Sequence, residues 1–323
     1  MKRLAVLTSG GDAPGMNAAI RAVVRAGISR GFQTFGVRHG YTGLMAGDLV
    51  PLGSRDVGGI MERGGTILGT TRCQELKTGQ GQQAALRQLR ERGIEHLVVI
   101  GGGGSQAGAA ALSGNGQSVV GLTSTIDNDI AGFDVTIGAT TAVDVALESV
   151  DRLRVTAASH GRVFLVEVMG RDGGFIALNV GIASGAEFIV VPEVETSPVQ
   201  VAAEIRATWA RGKSHAIVVV AEGAKYNVDA LASCLGRSDT PLGFDLRLCR
   251  LGHVQRGGAP GMTDRLLATR LGAAAVMHLA EGRTGVLVGI RAGCIVAEPL
   301  AESVGRKKPL EPDLLDLART LSL

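Results

Sequence analysis

Cysteine is sparse in this chain of 323 residues, and its placement suggests neither a staple nor a metal cage. Cys73, Cys234, Cys249 and Cys294 form no Cys-x-x-Cys, and the six histidines are dispersed, which excludes a zinc spacing. Reduced thiols in a cytoplasmic protein are the expectation. Long apolar runs are missing too. No uncharged stretch is long enough to cross a bilayer. The opening run Leu4-Ala5-Val6-Leu7 yields to Thr8-Ser9-Gly10-Gly11-Asp12 before a signal-peptide core is reached. No membrane partner is expected. Charge is nearly balanced, with a formal net charge of +3, so nothing argues for a nucleic-acid partner. Fixed-period repeats, coiled-coil heptads and low-complexity tracts are absent.

Glycine is what the chain has in quantity, 48 residues, in a composition 45% hydrophobic and 20% charged. That composition is globular, at a length where two domains in one chain are expected. Short Val/Ile/Leu runs alternate with longer periodic segments. Strands are expected at Leu4–Leu7, Thr34–Val37, His96–Ile100, Ser118–Leu122, Val163–Val168, Phe188–Val191, Ala216–Val220 and Val286–Ile290. Helices are expected at Asn17–Ile28, Gln106–Leu112, Thr140–Arg154, Val199–Arg211, Val228–Leu235, Thr263–Ala280 and Pro312–Leu321. Near-continuous apolar strands are covered on both faces, as in parallel sheets with helical crossovers: an α/β class. A change of domain near Gly138 fits the passage from a loop-rich stretch into a long helix.

Three glycine-rich stretches follow strands directly: Ser9 to Asn17, Gly101 to Ser105, and Met169 to Gly174. Glycine lets ligand atoms approach the backbone, and a helix N-terminus attracts anions. Singly, each reads equally as a tight strand-to-helix turn. No G-x-x-x-x-G-K-[ST] occurs, so this is not a P-loop NTPase, and Gly102-x-Gly104-x-x-x-Gly108 only approximates a dinucleotide fingerprint. After Ser118–Leu122 stands Thr125-Ile126-Asp127-Asn128-Asp129. If that loop is extended, Asp127 and Asp129 share a side, one able to take a hydroxyl proton and the other to help hold a magnesium-bound phosphate. The same letters also fit an Asx-turn. Arg72, Arg162, Arg171, Arg247 and Arg256 lie in or beside loops, where guanidinium forks suit phosphate. Glu222 stands at a strand end, and His253 and Arg256 share one more glycine turn.

These segments together resemble the bacterial-type 6-phosphofructokinases over essentially the whole chain: LTSGGDAPGMNAA (7–19), RGGTILGTTR (63–72), TIDND (125–129), VEVMGR (166–171), EFIVVPEVE (187–195) and LGHVQRGG (251–258). The resemblance implies two Rossmann-like three-layer αβα domains with mainly parallel sheets. A nucleotide domain would take residues 1–138 and 255–305, and a sugar-phosphate domain 139–254 and 306–323. It implies an ATP- and magnesium-dependent transfer to fructose 6-phosphate in a cytoplasmic, allosteric, glycolytic homotetramer. Asp127 would be the base, assisted by Thr125, Arg72 and Arg171. Gly11, Arg72, Cys73, Gly102, Gly103, Gly104 and Ser105 would line the nucleotide, and Asp129 the phosphate and metal. Met169, Gly170, Arg171, Glu222, His253 and Arg256 would hold the sugar phosphate, with Arg162 and Arg247 reaching it from a neighbouring subunit. Arg21, Arg25, Arg154, Glu187, Arg211 and Lys213 match a site for ADP or phosphoenolpyruvate, although position 54 is Ser54 with Arg55 beside it.

The sequence departs from the family pattern at one telling place. The glycine loop normally reads Gly-Gly-Asp-Gly-Ser, its Asp helping to bind magnesium, whereas here Gly103 stands instead. By analogy with deleting one preorganised electrostatic group, the loss is on the order of a hundred-fold in rate. Gly104 keeps the small residue of ATP users, and Thr123-Ser124 lacks the lysine of many pyrophosphate users. A slow ATP-dependent kinase is therefore the first reading. A non-catalytic or regulatory homologue, or a kinase with an altered donor or acceptor, stands beside it.

Overall fold

The computed structural model describes residues 2–236 and 244–321. In chain order its elements are β1 (Arg3–Ser9), α1 (Met16–Ser29), β2 (Gln33–Val37), α2 (Gly40–Ala46), β3 (Leu49–Pro51), α3 (Gly79–Glu91), β4 (His96–Gly101), α4 (Gly103–Gly114) and β5 (Ser118–Thr123). Then come α5 (Ala139–His160), β6 (Arg162–Val168), α6 (Phe175–Ser184), β7 (Phe188–Val190), α7 (Pro198–Ala210), β8 (Ala216–Ala221), α8 (Val228–Gly236) and β9 (Asp245–Arg250). The chain ends with α9 (Met262–Ala280), β10 (Val286–Arg291), β11 (Cys294–Pro299), α10 (Leu300–Ser303) and α11 (Pro312–Leu321). Every strand expected from an apolar run forms. The second glycine loop differs from expectation: α4 begins at Gly103 rather than Gln106, so the loop itself is the first helical turn.

The chain divides into two compact units, Met1–Thr141 with Arg256–Lys308, and Ala142–Gln255 with Pro309–Leu323. Unit 1 carries a seven-stranded sheet in the order β11-β10-β5-β4-β1-β2-β3. Its five central strands pair in parallel, and β3 and β11 close the edges antiparallel. A core of Leu7, Val37, Leu89, Leu97, Leu112 and Val119 packs under α3 and α4, each large side chain gaining about 1.5–3 kcal/mol from burial. Unit 2 carries a parallel four-stranded sheet, β7-β8-β6-β9, over a core that includes Val163, Leu165, Val218, Ile205 and Leu231. Helix α7 starts where its sequence dictates. Ser197 and Gln200 form a capping box, and Pro198 occupies a first-turn position that needs no N–H partner.

Candidate active site

Strand register fixes where the loops of unit 1 leave the sheet. Ser9 lies beside Gly101, and Gly101 beside Thr123, so the loops after β1, β4 and β5 depart at one level. The neighbours β1 and β4 send their connections to opposite sides, toward β2 and β5. That is the switch point at which open α/β sheets bind ligands.

Arg72 is delivered to this end by a laced loop. Buried Asn17, in the first turn of α1, donates from Nδ2 to the Arg63 carbonyl (3.0 Å) and accepts the Ile67 N–H at Oδ1 (2.8 Å). Thr8 and Thr66 hydroxyls lie 2.9 Å apart, and Thr70 Oγ1 donates to the Gly10 carbonyl at 2.8 Å. The Gly10 N–H in turn reaches the Thr71 carbonyl (3.4 Å), leaving Arg72 exposed and Cys73 half-buried next to the first glycine loop. Gly11 sits against a guanidinium: a Cβ there would lie 2.6 Å from Arg256 Nη1 and displace it. Arg256 is buried and donates to the Asp12 carbonyl at 2.9 Å. The structure thus puts Arg256, expected among the sugar-phosphate ligands, in unit 1 behind the first glycine loop.

Gly102 is the N-cap of α4, and Gly103, Gly104 and Ser105 form its first turn, whose N–H groups and dipole favour anions. Two side chains the sequence did not single out hold that turn. The Tyr41 hydroxyl donates to the Ser105 carbonyl at 2.6 Å, and burial raises its pKa, keeping it a donor. Gln106 Nε2 donates to the Gly101 and Leu122 carbonyls, both at 2.9 Å, tying β4 to β5. A polar residue inside an otherwise apolar small-residue helix was the available signal. Gly103 and Gly104 have no such neighbours, since a Cβ at either would meet nothing within 4 Å.

The loop after β5 is not extended. It turns at Ile126 and Asp127, and Asn128 is left-handed with φ 48°. The condition under which Asp127 and Asp129 would share a side is therefore not met, because a left-handed residue between them breaks the alternation. Asp127 is 5% exposed, and its N–H donates to Thr125 Oγ1 at 3.2 Å. A Cβ on Gly102 would lie 3.4 Å from Thr125 Cβ, so the head of α4 and Thr125 are neighbours. Asp129 is half-buried, and its carbonyl accepts the Lys308 N–H at 3.0 Å.

In unit 2, Val168 lies beside Ala221 and Glu167 beside Arg250, so the Met169–Gly174 loop, Glu222 and the His253 turn share one sheet end. The Arg171 N–H donates to Glu222 Oε1 (2.8 Å), with Arg171 at φ 53°, an uncommon conformation for a long side chain. Gln255 Oε1 accepts the Met169 N–H at 3.3 Å, and Gly170 is buried beside it. Arg162, the first residue of β6, and Arg247, two residues into β9, lie toward the opposite end of the sheet, both on the Asp245 carboxylate, at 3.0 and 2.7 Å. About 20 Å of strand separates them from Met169. A third grouping surrounds Glu187, 4% exposed: Arg154 and Lys213 approach its Oε1 at 3.4 and 3.3 Å, and the Ile217 N–H reaches Oε2 at 2.7 Å. Arg211 lies within 3.4 Å of Thr208 Oγ1 on α7. Arg21 and Arg25 sit one turn apart on α1 in unit 1, with Arg25 Nη2 3.5 Å from the Ser54 carbonyl.

A sequence model described as Phosphofructokinase matches residues 3–279. The chain belongs to the phosphofructokinase family. It is 53% identical to ATP-dependent 6-phosphofructokinase 1 of Thermus thermophilus and 47% identical to the ATP-dependent 6-phosphofructokinase of Shouchella clausii, over the full length of both chains in each pair. Its fold matches the T-state crystal structure of Pichia pastoris phosphofructokinase at a TM-score of 0.87 and 38% identity, over 99% of this chain and 36% of that one. The pyrophosphate-dependent phosphofructokinase of Marinobacter aquaeolei shares the fold at a TM-score of 0.86 and 22% identity, covering 99% and 91% of the two chains. The phosphofructokinase fold of paired α/β sheets is the one expected from the sequence.

The magnesium associated with this family finds no protein cage here. Among the described residues no group of three or more His, Cys, Asp or Glu side chains could hold a metal ion. The first turn of α4 contains no acidic residue. The residues present do not make a magnesium site by themselves.

Proposed function

We propose that this chain is an ATP-dependent 6-phosphofructokinase that converts fructose 6-phosphate to fructose 1,6-bisphosphate in glycolysis. One observation carries the reading: at one end of a single sheet, the Gly11 loop, the head of α4, Arg72 and buried Asp127 meet at a switch point. Relatives about half identical in sequence carry the name of that activity. In this reading unit 1 holds the donor and unit 2 the sugar phosphate.

The N–H groups at the head of α4 and beside Gly11 receive the phosphate chain, and Arg72 offsets charge on it. Asp127 takes the proton of the sugar 1-hydroxyl as that oxygen bonds to the γ-phosphorus and the bond to the β-phosphate oxygen breaks. Thr125, hydrogen-bonded to the Asp127 N–H, lines the transferred group. Met169, Gly170, Arg171, Glu222 and His253 hold the sugar phosphate. Arg162 and Arg247, at the far end of their sheet, serve the site of a second copy in a homotetramer. The cluster on Glu187 with Arg211 on one subunit, and Arg21 and Arg25 on a neighbouring one, take ADP or phosphoenolpyruvate as effector. Magnesium, if carried in on the nucleotide phosphates, would offset their charge, and Asp129 would be a carboxylate available to it. The site of action is the cytoplasm.

The first turn of α4, with Gly103 and no acidic residue, favours a second reading, a homologue that binds these ligands with little turnover. A coupled assay separates the readings. ATP, pyrophosphate or no donor is combined with fructose 6-phosphate, another sugar phosphate or no acceptor. ADP formation confined to the ATP and fructose 6-phosphate pair is the expected result. Saturable binding of both ligands without product sinks the kinase reading, and product from pyrophosphate transfers it to another donor.

A further inference from the structure

We infer that Asn128 is a positioning residue that sets the aim of Asp127, an inference that rests on the phosphotransfer reading above. Asn128 is 4% exposed and left-handed at φ 48°, a conformation that asparagine tolerates better than most side chains. Its amide spans the loop. Oδ1 accepts the Thr136 N–H at 3.1 Å, and Nδ2 donates to the Asp134 carbonyl at 3.3 Å. Thr136, fully buried, returns the connection: its Oγ1 donates to the Thr125 carbonyl at 2.6 Å. Beyond it the Ile137 N–H donates to the Thr123 carbonyl (3.1 Å), and Ser124 bridges Ile137 in parallel.

These contacts make a closed ring of chain. Residues 134–137 run back alongside 123–125, and the Asn128 amide crosses between the strands of the ring next to Asp127. Every partner of the two side chains is a backbone group. The ring therefore fixes shape and adds no charge at the reacting centre. Asp127 is held from both directions, by Thr125 Oγ1 on its own N–H and by the clasped residue that follows it. Displacing a reacting group by about 1 Å can cost roughly a hundred-fold in rate, so loosening this clasp would reach the chemistry as well as the stability.

The test uses the full-length protein. Asn128→Gly keeps the left-handed backbone and loses both side-chain bonds. Asn128→Asp keeps the acceptor for the Thr136 N–H. Thr136→Val removes the bond to the Thr125 carbonyl at similar volume, and stands in should Asn128→Gly fail to fold. In Asn128→Gly, kcat is expected to fall roughly 10- to 100-fold while KM for ATP stays within about two-fold. Asn128→Asp should recover part of kcat. Unchanged kcat overturns the inference. So does a kcat that falls only in step with melting temperature and is not recovered by Asn128→Asp. Amide hydrogen exchange across 123–137 needs no turnover and is expected to accelerate in Asn128→Gly, and unaltered exchange also overturns it. An inactive wild type with a clasp that does loosen would sink the kinase reading and, with it, the role in catalysis.

Discussion

Two turns at the same end of the unit 1 sheet are built to opposite standards. The loop after β5 is clasped by Asn128 and Thr136, buried, and left almost no freedom around Asp127. The first turn of α4 is exposed at Gly103 and Gly104, uncapped by a side chain and bordered by open space. Glycine at position 11 answers a close approach by Arg256, whereas glycine at 103 answers neither packing nor a positive φ. The lesson is that only the second kind of glycine can be replaced to ask a chemical question without disturbing the fold.

The comparison predicts a strong effect at the clasped turn. Asp127→Ser should lower kcat about a thousand-fold, within the range for loss of a positioned base, with ligand binding retained. Equal rates in wild type and variant would remove Asp127 from the mechanism. At the open turn the sign reverses. Gly103→Asp places a carboxylate at the head of α4, where the dipole welcomes it, and the rate should rise on the order of a hundred-fold. Mn2+ titration followed by its paramagnetic signal should show tighter metal retention with nucleotide in this variant than in wild type. A rate and an affinity that both stay put would mean that the missing carboxylate is not what limits the enzyme.

Gly11→Ala tests the crowded glycine. The added methyl must shift the Arg256 guanidinium on the Asp12 carbonyl, so KM for ATP should rise roughly ten-fold, with an unaltered value for a Gly114→Ala control at an open glycine at the far end of α4. Comparable KM values in the two variants would erase the distinction between close-packed and open glycines.

The same distinction explains what the letters revealed. β1, β4, β5, β6 and β8 were legible because their apolar runs are buried on both faces. β9 and β11 are edge strands with exposed polar residues, and α6 is apolar on all sides, so neither period nor contrast marked them. In the site, glycine loops and loop arginines could be read from residue type and position. The left-handed turn at Asn128 could not, because it arises from partners six and eight residues downstream. Nor could the place of Arg256, which depends on how a late segment returns to the first loop.

The smallest expected effect lies at the other end of the sheet. His96 is half-buried between β1 and β5, its Nδ1 2.9 Å from Ser118 Oγ, with Phe32 edge-on and Lys2 and Glu95 nearby. Burial first, then Lys2, holds its pKa below the ordinary 6.5, with Glu95 opposing. His278 is lowered likewise by burial and Arg283, against Glu281. The unfolded chain therefore binds more protons below pH 6.5, and stability contributed by both neutral rings is complete above that pH and declines as pH falls toward the folded values. Melting temperature should drop more steeply below pH 6.5 in wild type than in His96→Gln, and parallel curves would contradict this.

The central claim is tested most directly by following phosphorus. In a 31P NMR time course of the wild type with ATP and fructose 6-phosphate, the γ-phosphate signal should decline as a second sugar-phosphate resonance grows in equal amount, and both changes should vanish in Asp127→Ser. ATP loss that yields inorganic phosphate alone, or a product signal that survives in Asp127→Ser, would contradict the account.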